Sequence, residues 1–259
     1  MGNPDRRTVS AVVICFNERD RIAGCLESLA WADEIVVVDS GSTDGTREIA
    51  RGYTSRVFEI AWLGFGPQKQ AAVDRASHDM IFSLDCDERA TPELAIEIME
   101  VLRRGSIPAA FSVPRRTFIG EKEIRHSGWT PDRTVRLFDR RHARFSDAAV
   151  HERALVTGET GRLEHPIIHY SFAGISDILS KMNRYTDLSA RQMFESGRRC
   201  GFSDYTLRPF LAFAKSYLIR GGFLDGVEGL EIAVAGGLHV FAKYIKLWEL
   251  ERRAAGGGR

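Results

Sequence analysis

The chain has 259 residues, 44% hydrophobic and 27% charged, enough for one large domain or one domain with an appendage. Its net charge of +1 gives no global field of the kind that draws nucleic acid, so a nucleic-acid partner is not expected. The four cysteines form no C-x-x-C pair, and they fit packed thiols in a reducing compartment better than a disulfide framework or a zinc site. Residues 1–7 are polar and no apolar run reaches about 18 residues, so neither a signal peptide nor a membrane-spanning helix is expected.

Strand and helix signals alternate over the first hundred residues. Residues 9–16 are a β-branched apolar run, and 17–30 follow with helical spacing through Ile22, Leu26 and Leu29. A second strand spans 34–38 and ends in Asp39. A helix over 45–51 follows the capping residues Ser42, Thr43 and Asp44. A short third strand covers 57–60, a helix 67–76, and a fourth strand 80–84. Thr91 as N-cap and Pro92 at the first helical position open a helix running to about residue 104. Such repeated units predict a mostly parallel sheet with helices on both faces, its strands continuous apolar runs because both faces are buried. Strands are then expected at 109–119, 134–138 and 163–170, and helices at 175–195, 205–220 and 227–251. The expected layout is an α/β core over 1–172, a helical region over 173–253 and a disordered Gly-rich tail over 254–259.

The chemistry concentrates where strands end. The run Met80 to Leu84 stops abruptly at Asp85-Cys86-Asp87-Glu88, which puts carboxylates at the carboxyl edge of a strand, where open α/β sheets bind ligands. Two oxygen donors at the Asp85/Asp87 spacing suit Mg²⁺ or Mn²⁺, cations that bind few carboxylates and take further oxygens from substrate phosphates. By itself Asp-x-Asp is more often a pair of solvated loop carboxylates. At the end of the first strand Asn17 and Glu18 are candidates for gripping a nucleotide, Glu18 through ribose hydroxyls; helix capping by Asn17 is the plainer reading. In Val38-Asp39-Ser40-Gly41-Ser42-Thr43-Asp44-Gly45, Asp39 is a candidate acceptor for a uracil N–H and Ser40 lies beside it, whereas Asp44 reads as a first-turn carboxylate serving the helix dipole. In Gly64-Phe65-Gly66-Pro67-Gln68-Lys69, the glycines leave room for backbone approach and Lys69 is a candidate for neutralising phosphate; a turn with a surface lysine is equally plausible.

These segments, in this order, resemble the family 2 glycosyltransferases of GT-A fold over residues 9–105. The resemblance implies that Glu18 and Asp39 contact the nucleoside, that Asp85 meets the ribose or the metal, and that Asp87 holds the metal. The implied donor is a UDP-sugar, with Mg²⁺ or Mn²⁺ as cofactor. The donor-binding set then comprises Asn17, Glu18, Asp39, Ser40, Gln68, Lys69, Asp85 and Arg136. Further motifs narrow the match to the lipopolysaccharide core glycosyltransferases, whose best-known members add β-glucose to inner-core heptose. They are Ile124-Arg125-His126-Ser127-Gly128-Trp129-Thr130-Pro131-Asp132, Val135-Arg136-Leu137-Phe138, Val150-His151-Glu152, Ile168-His169-Tyr170-Ser171 and Gly222-Phe223-Leu224-Asp225-Gly226, with residues 243–250.

Inverting transfer requires a general base on the acceptor side, separate from the metal carboxylates. Asp132 is the candidate, with Glu152 and Asp147 as runners-up; capping of a turn after Pro131 is its alternative role. A late histidine completes the metal shell in many GT-A enzymes, and His151 is favoured over His169 for that place. Arg133 and Arg136 are expected to face the donor phosphates, and Trp129 either stacks on an acceptor sugar or packs in the core. From Arg198 to Arg259 ten Lys/Arg stand against six Asp/Glu, interleaved with aromatics. That texture suits peripheral contact with an anionic membrane, and an enzyme working in the cytoplasm on a lipid-linked core acceptor at the inner membrane's cytoplasmic face. A polyprenyl-phosphate transferase and a non-catalytic nucleotide-sugar binding module are the alternatives.

Overall fold

The computed structural model describes residues 6–147, 152–172 and 174–256. The chain forms two compact units, one of residues 1–116 and 132–169 and the other of residues 117–131 and 170–259.

The first unit opens with β1 (Val9–Cys15), α1 (Arg19–Glu27), β2 (Glu34–Asp39), α2 (Thr46–Arg51), β3 (Val57–Glu59), α3 (Phe65–Asp74) and β4 (Met80–Asp85). The strands β3-β2-β1-β4 lie side by side and parallel. The apolar runs of β2, β1 and β4 are buried on both faces, while the edge strand β3 is only partly buried. Val13, Val37, Phe82 and Leu84 pack on one side with α1 and with α4 (Pro92–Leu102); Val12, Val36, Val38 and Ile81 pack on the other with Ala72 and Val73 of α3. α4 begins as the cap predicts, Thr91 Oγ accepting from Leu94 N–H at 3.2 Å ahead of Pro92. Beyond β4 the sheet turns antiparallel. β8 (Arg133–Asp139) pairs with β4 and with β6 (Ala110–Ile119), and β12 (Ile167–Phe172) pairs with β5 (Glu88–Ala90). β11 (Thr160–Arg162) adds to β6, while β9 (Ala143–Phe145) and β10 (Ala154–Val156) form a separate ribbon.

Two boundaries differ from expectation for identifiable reasons. α1 begins at Arg19 rather than residue 17, because Asn17 takes a left-handed backbone with φ of 53°. β12 begins at Ile167 rather than residue 163. Pro166 has no N–H to give a ladder, and the N–H groups of Glu164 and His165 are taken by the Glu97 carboxylate at 2.8 and 3.0 Å.

The second unit consists of β7 (Lys122–Ile124), paired with the end of β6, and the helices α5 (Ile175–Glu195), α6 (Phe202–Tyr205), α7 (Leu207–Ala214) and α8 (Gly226–Gly256). A π-helical turn, Lys215–Ile219, extends α7, and a 3-10 turn, Gly222–Asp225, leads into α8. Residues 117–131, which the sequence reading placed in the α/β core, join this unit because Ile119 and Ile124 pack with Ile178 and Ile232. The helix expected over 205–220 is interrupted at Thr206. Pro209 cannot donate to the carbonyl four residues back, and its ring crowds that position, so α7 starts afresh with proline in its first turn. The tail is shorter than expected, since α8 continues through 254–256; residues 257–259 lie outside the described residues.

Two of the sequence motifs meet inside this unit. Asp225 is 3% exposed, and its carboxylate accepts from the backbone N–H groups of Arg125 and His126 at 3.2 and 2.8 Å and lies 2.9 Å from His126 Nδ1. The turn before α8 is thereby clamped. Gly229 permits it, because a Cβ there would fall 1.8 Å from the Gly222 carbonyl oxygen.

Candidate active site

The Asp-x-Asp segment sits where the sequence places it, Asp85 closing β4 and Asp87 in the turn before β5. Side chains alternate there. Cys86 points inward, 6% exposed, with its thiol donating to the Ile14 carbonyl at 3.2 Å. The hydrogen bond with Cys15, followed by burial, holds the Cys86 thiol protonated. Asp85 and Asp87 project the other way and keep 31% and 22% side-chain exposure. Arg89 steadies the turn, donating to the carbonyls of Cys86 and Glu88 at 2.8 and 2.7 Å.

Asp85 is paired with two cations. Its Oδ1 lies 2.8 Å from Lys69 Nζ and its Oδ2 2.7 Å from an Arg136 nitrogen. Burial would raise its pKa, but Arg136 and then Lys69 outweigh that and hold the carboxyl far below the usual range. The contacts continue in both directions. Lys69, 3% exposed, also holds Glu152 at 2.6 Å. Arg136, 4% exposed, also holds Glu88 Oε1 at 2.6 Å, and Arg115 reaches that same oxygen at 3.3 Å. Arg115 then grips Asp132 Oδ2, through Nε at 2.7 Å and through a second guanidinium nitrogen. One chain of alternating charge thus runs Glu152–Lys69–Asp85–Arg136–Glu88–Arg115–Asp132. Glu88 is its hidden centre: wholly buried, it also accepts the Asp85 N–H at 3.1 Å.

The remaining residues singled out in the sequence take the following places. Lys69 and Arg136, expected at the donor phosphates, are buried and paired with carboxylates; Arg136 Nε is buried without a hydrogen-bond partner among the described residues. Arg133 donates to the carbonyls of Ser112 and Leu163. Asp39, assigned to uracil, is wholly buried and serves its own loop. Its Oδ1 accepts from Gly41 and Ser42 N–H at 3.0 and 2.8 Å, and its Oδ2 from the Ser42 hydroxyl and the Cys15 thiol. Ser40 and Gln68 bond each other at 3.0 Å, and Gln68 is buried, bridging the Ile60 carbonyl and Leu63 N–H. Trp129 packs beside Phe172 in the second unit's core. Asn17 accepts from Thr43 N–H at 2.9 Å, tying the β1 end to the loop after β2. Glu18 stays partly exposed, 3.5 Å from Arg21. Asp44 lies just ahead of the N-cap Gly45 rather than in the first turn of α2, and accepts from Thr46 N–H and Arg19 N–H.

His151 lies outside the described residues. His169, which the sequence reading ranked below it, stands across the β12–β5 pair with its Nε2 3.5 Å from Asp87 Oδ2. The pairing of His169 with Glu88 sets this approach, and no local pattern in the sequence announces it. One carboxylate and one imidazole make a sparse donor set, and no cluster of three or more metal-binding side chains occurs among the described residues. A sparse set suits a cation that draws its remaining oxygens from substrate phosphates and water, so the residues present fit Mg²⁺ or Mn²⁺ bound together with a diphosphate. Asp132 Oδ1 has no donor among the described residues, while Arg115 fixes its partner oxygen; the carboxylate is oriented and has a lone pair to offer.

Comparison with known proteins accords with this geometry. Residues 10–156 match the profile of "Glycosyl transferase family 2". The chain is 31% identical over 253 residues to the lipopolysaccharide core biosynthesis glycosyltransferase LpsC of Rhizobium meliloti, covering 93% of this chain and 92% of that one. It is 26% identical over 254 residues to an uncharacterized glycosyltransferase of Rickettsia conorii, covering 93% and 89%. Among solved structures, glucosyl-3-phosphoglycerate synthase of Mycobacterium tuberculosis with Mg²⁺ and UDP shares 25% identity over 43% of this chain and 44% of its own, with a TM-score of 0.36. On its strand-end carboxylates, its α/β sheet and the family match over most of that sheet, the chain belongs to glycosyl transferase family 2 and is a glycosyltransferase of GT-A fold.

Proposed function

We propose that this enzyme transfers a sugar, glucose, from a UDP-sugar to a heptose of the lipopolysaccharide inner core, with inversion and with a divalent cation. The acceptor class follows from the full-length similarity to a core biosynthesis glycosyltransferase. The observation that carries the reaction is the Asp87–His169 pair at 3.5 Å beside the charge chain that ends in Asp132. A cation held by Asp87 and His169 would supply Lewis-acid neutralisation of the departing diphosphate. Glu18, at the end of β1, serves the ribose hydroxyls. Asp132 Oδ1 takes the proton of the acceptor hydroxyl, and Arg115 prevents the carboxylate from rotating away. The acceptor is lipid-linked and met at the cytoplasmic face of the inner membrane.

The test is UDP release from a panel of UDP-sugars, with and without Mg²⁺ or Mn²⁺ and purified core lipopolysaccharide, for the wild type and Asp132→Asn. The expected result is metal-dependent release with one sugar, stimulated by acceptor. Asp132→Asn should keep UDP binding but lose transfer by roughly 10²–10⁴-fold. Unchanged transfer by the variant would remove Asp132 from the mechanism, and release indifferent to metal would remove the cation.

A further inference from the structure

The second unit carries an apolar surface that its own packing leaves uncovered. In α8, Gly229, Ile232, Ala233, Gly237, Tyr244 and Leu247 face inward. On another face, Val227, Leu230, Val234, Leu238 and Phe241 recur at steps of three and four residues, and every one is exposed. The element packed against α8 has the same character. α7 lies close enough for a Cβ on Gly237 to fall 3.1 Å from the Pro209 carbonyl oxygen, yet Phe210, Leu211 and Leu218 are exposed and Ile219 is 80% exposed. The turn joining them presents Phe223 and Leu224 to solvent although Asp225 clamps it from behind. These side chains therefore sit on a fixed frame rather than on a loose loop.

Charge indicates what covers the surface. From Leu207 to Arg220 the chain has Arg208, Lys215 and Arg220 and no acidic residue. Lys215 and Arg220 have no carboxylate partner among the described residues. At the other end of the hairpin, Arg198 and Arg208 donate to the Tyr244 hydroxyl at 3.0 and 3.1 Å, and Lys243 Nζ lies 5.0 Å from that ring's centroid. Burial and then Arg198 and Arg208 lower the pKa of Lys243, a sign of crowded positive charge. A second copy of the same face would bring these cations against one another, whereas an anionic surface neutralises them. No helix among the described residues is long and apolar enough to cross a membrane, so the mode available is lying in the interface.

We propose that the α7–α8 hairpin docks the enzyme on an anionic phospholipid leaflet, with Ile219, Phe223 and Leu224 entering the acyl boundary and Lys215 and Arg220 meeting lipid phosphates. This deepens the membrane-side acceptor reading and rests on it only for the choice of a bacterial leaflet.

The experiment is flotation of the full chain with phosphatidylcholine vesicles, with and without phosphatidylglycerol, read beside its molar mass in solution. The expected result is recovery with the anionic vesicles only, weakened by salt. The double substitution Ile219→Asp/Phe223→Asp should abolish recovery while leaving the melting temperature and UDP-sugar turnover unchanged. Lys215→Glu and Arg220→Glu should each weaken binding by roughly fivefold or more. Equal recovery of wild type and double variant, equal binding to both vesicle types, or a stable dimer that hides the face and floats with neither would overturn the proposal. Because flotation needs neither donor nor acceptor, its outcome is separate from that of the transfer assay.

Discussion

Replacing Arg136 with methionine removes the cation at the middle of the buried charge chain. Arg136 lies 2.6 Å from Glu88 Oε1 and 2.7 Å from Asp85 Oδ2. Without it, wholly buried Glu88 keeps only the 3.3 Å contact to Arg115 and the Asp85 N–H, whereas Asp85 keeps Lys69 and its 31% side-chain exposure. Breaking a buried pair from one side costs about 3–5 kcal/mol, most of it here from stranding Glu88. Urea unfolding at pH 7 should show that loss as a lower midpoint with an unchanged slope. Adding Glu88→Gln should recover much of it, since removing both partners strands no charge. The pH dependence has a definite sign. The folded pKa of Asp85 is depressed, so its contribution is complete above the unfolded carboxylate value of about 4 and is lost as pH falls below it toward the folded value. The difference between wild type and Arg136→Met should therefore shrink below about pH 4. A loss under about 1 kcal/mol at pH 7, or no recovery in the double variant, would refute the reasoning.

Further outcomes follow from packing and burial. Gly229→Ala should destabilise by about 3 kcal/mol or more, because its Cβ meets the Gly222 backbone, whereas Gly236→Ala, with nothing within 4 Å, should stabilise α8 by about 1 kcal/mol; thermal unfolding of both checks this. A thiol reagent at pH 8 should leave Cys25 and Cys86 unmodified in the folded enzyme, since burial pushes the Cys25 thiol up and the Cys15 contact and burial do the same for Cys86, while the half-buried Cys200 reacts first.

The parallel half of the sheet was legible because its strands are continuous apolar runs ending in polar residues, and the cap at Thr91-Pro92 fixed a helix start. Of the three-residue strands only β3, an apolar stretch between two helical segments, was legible; β5, β7, β9, β10 and β11 were not, since a period of two cannot declare itself over three residues. At the site the sequence showed which residues carry charge but not which charges neutralise one another. Lysine and arginine beside a strand-end acid read the same whether they face substrate or a buried carboxylate, so the pairing of Lys69 and Arg136 with Asp85 was not legible. Glu88 was passed over as the third acid of its run, and its importance arises from two arginines that reach it from β6 and β8. The approach of His169 to Asp87 was not legible because it depends on strand pairing across about eighty residues of sequence.

The central claim is that Asp87 and His169 together make diphosphate binding depend on a divalent cation. Calorimetric titration of UDP in the presence and absence of Mn²⁺ tests it directly, in the wild type, Asp87→Asn and His169→Ala. The account predicts affinity that rises with Mn²⁺ in the wild type, and a loss of roughly tenfold or more of that Mn²⁺-dependent part in each variant, with folding intact. Mn²⁺-dependent UDP binding that survives both substitutions unchanged would contradict it.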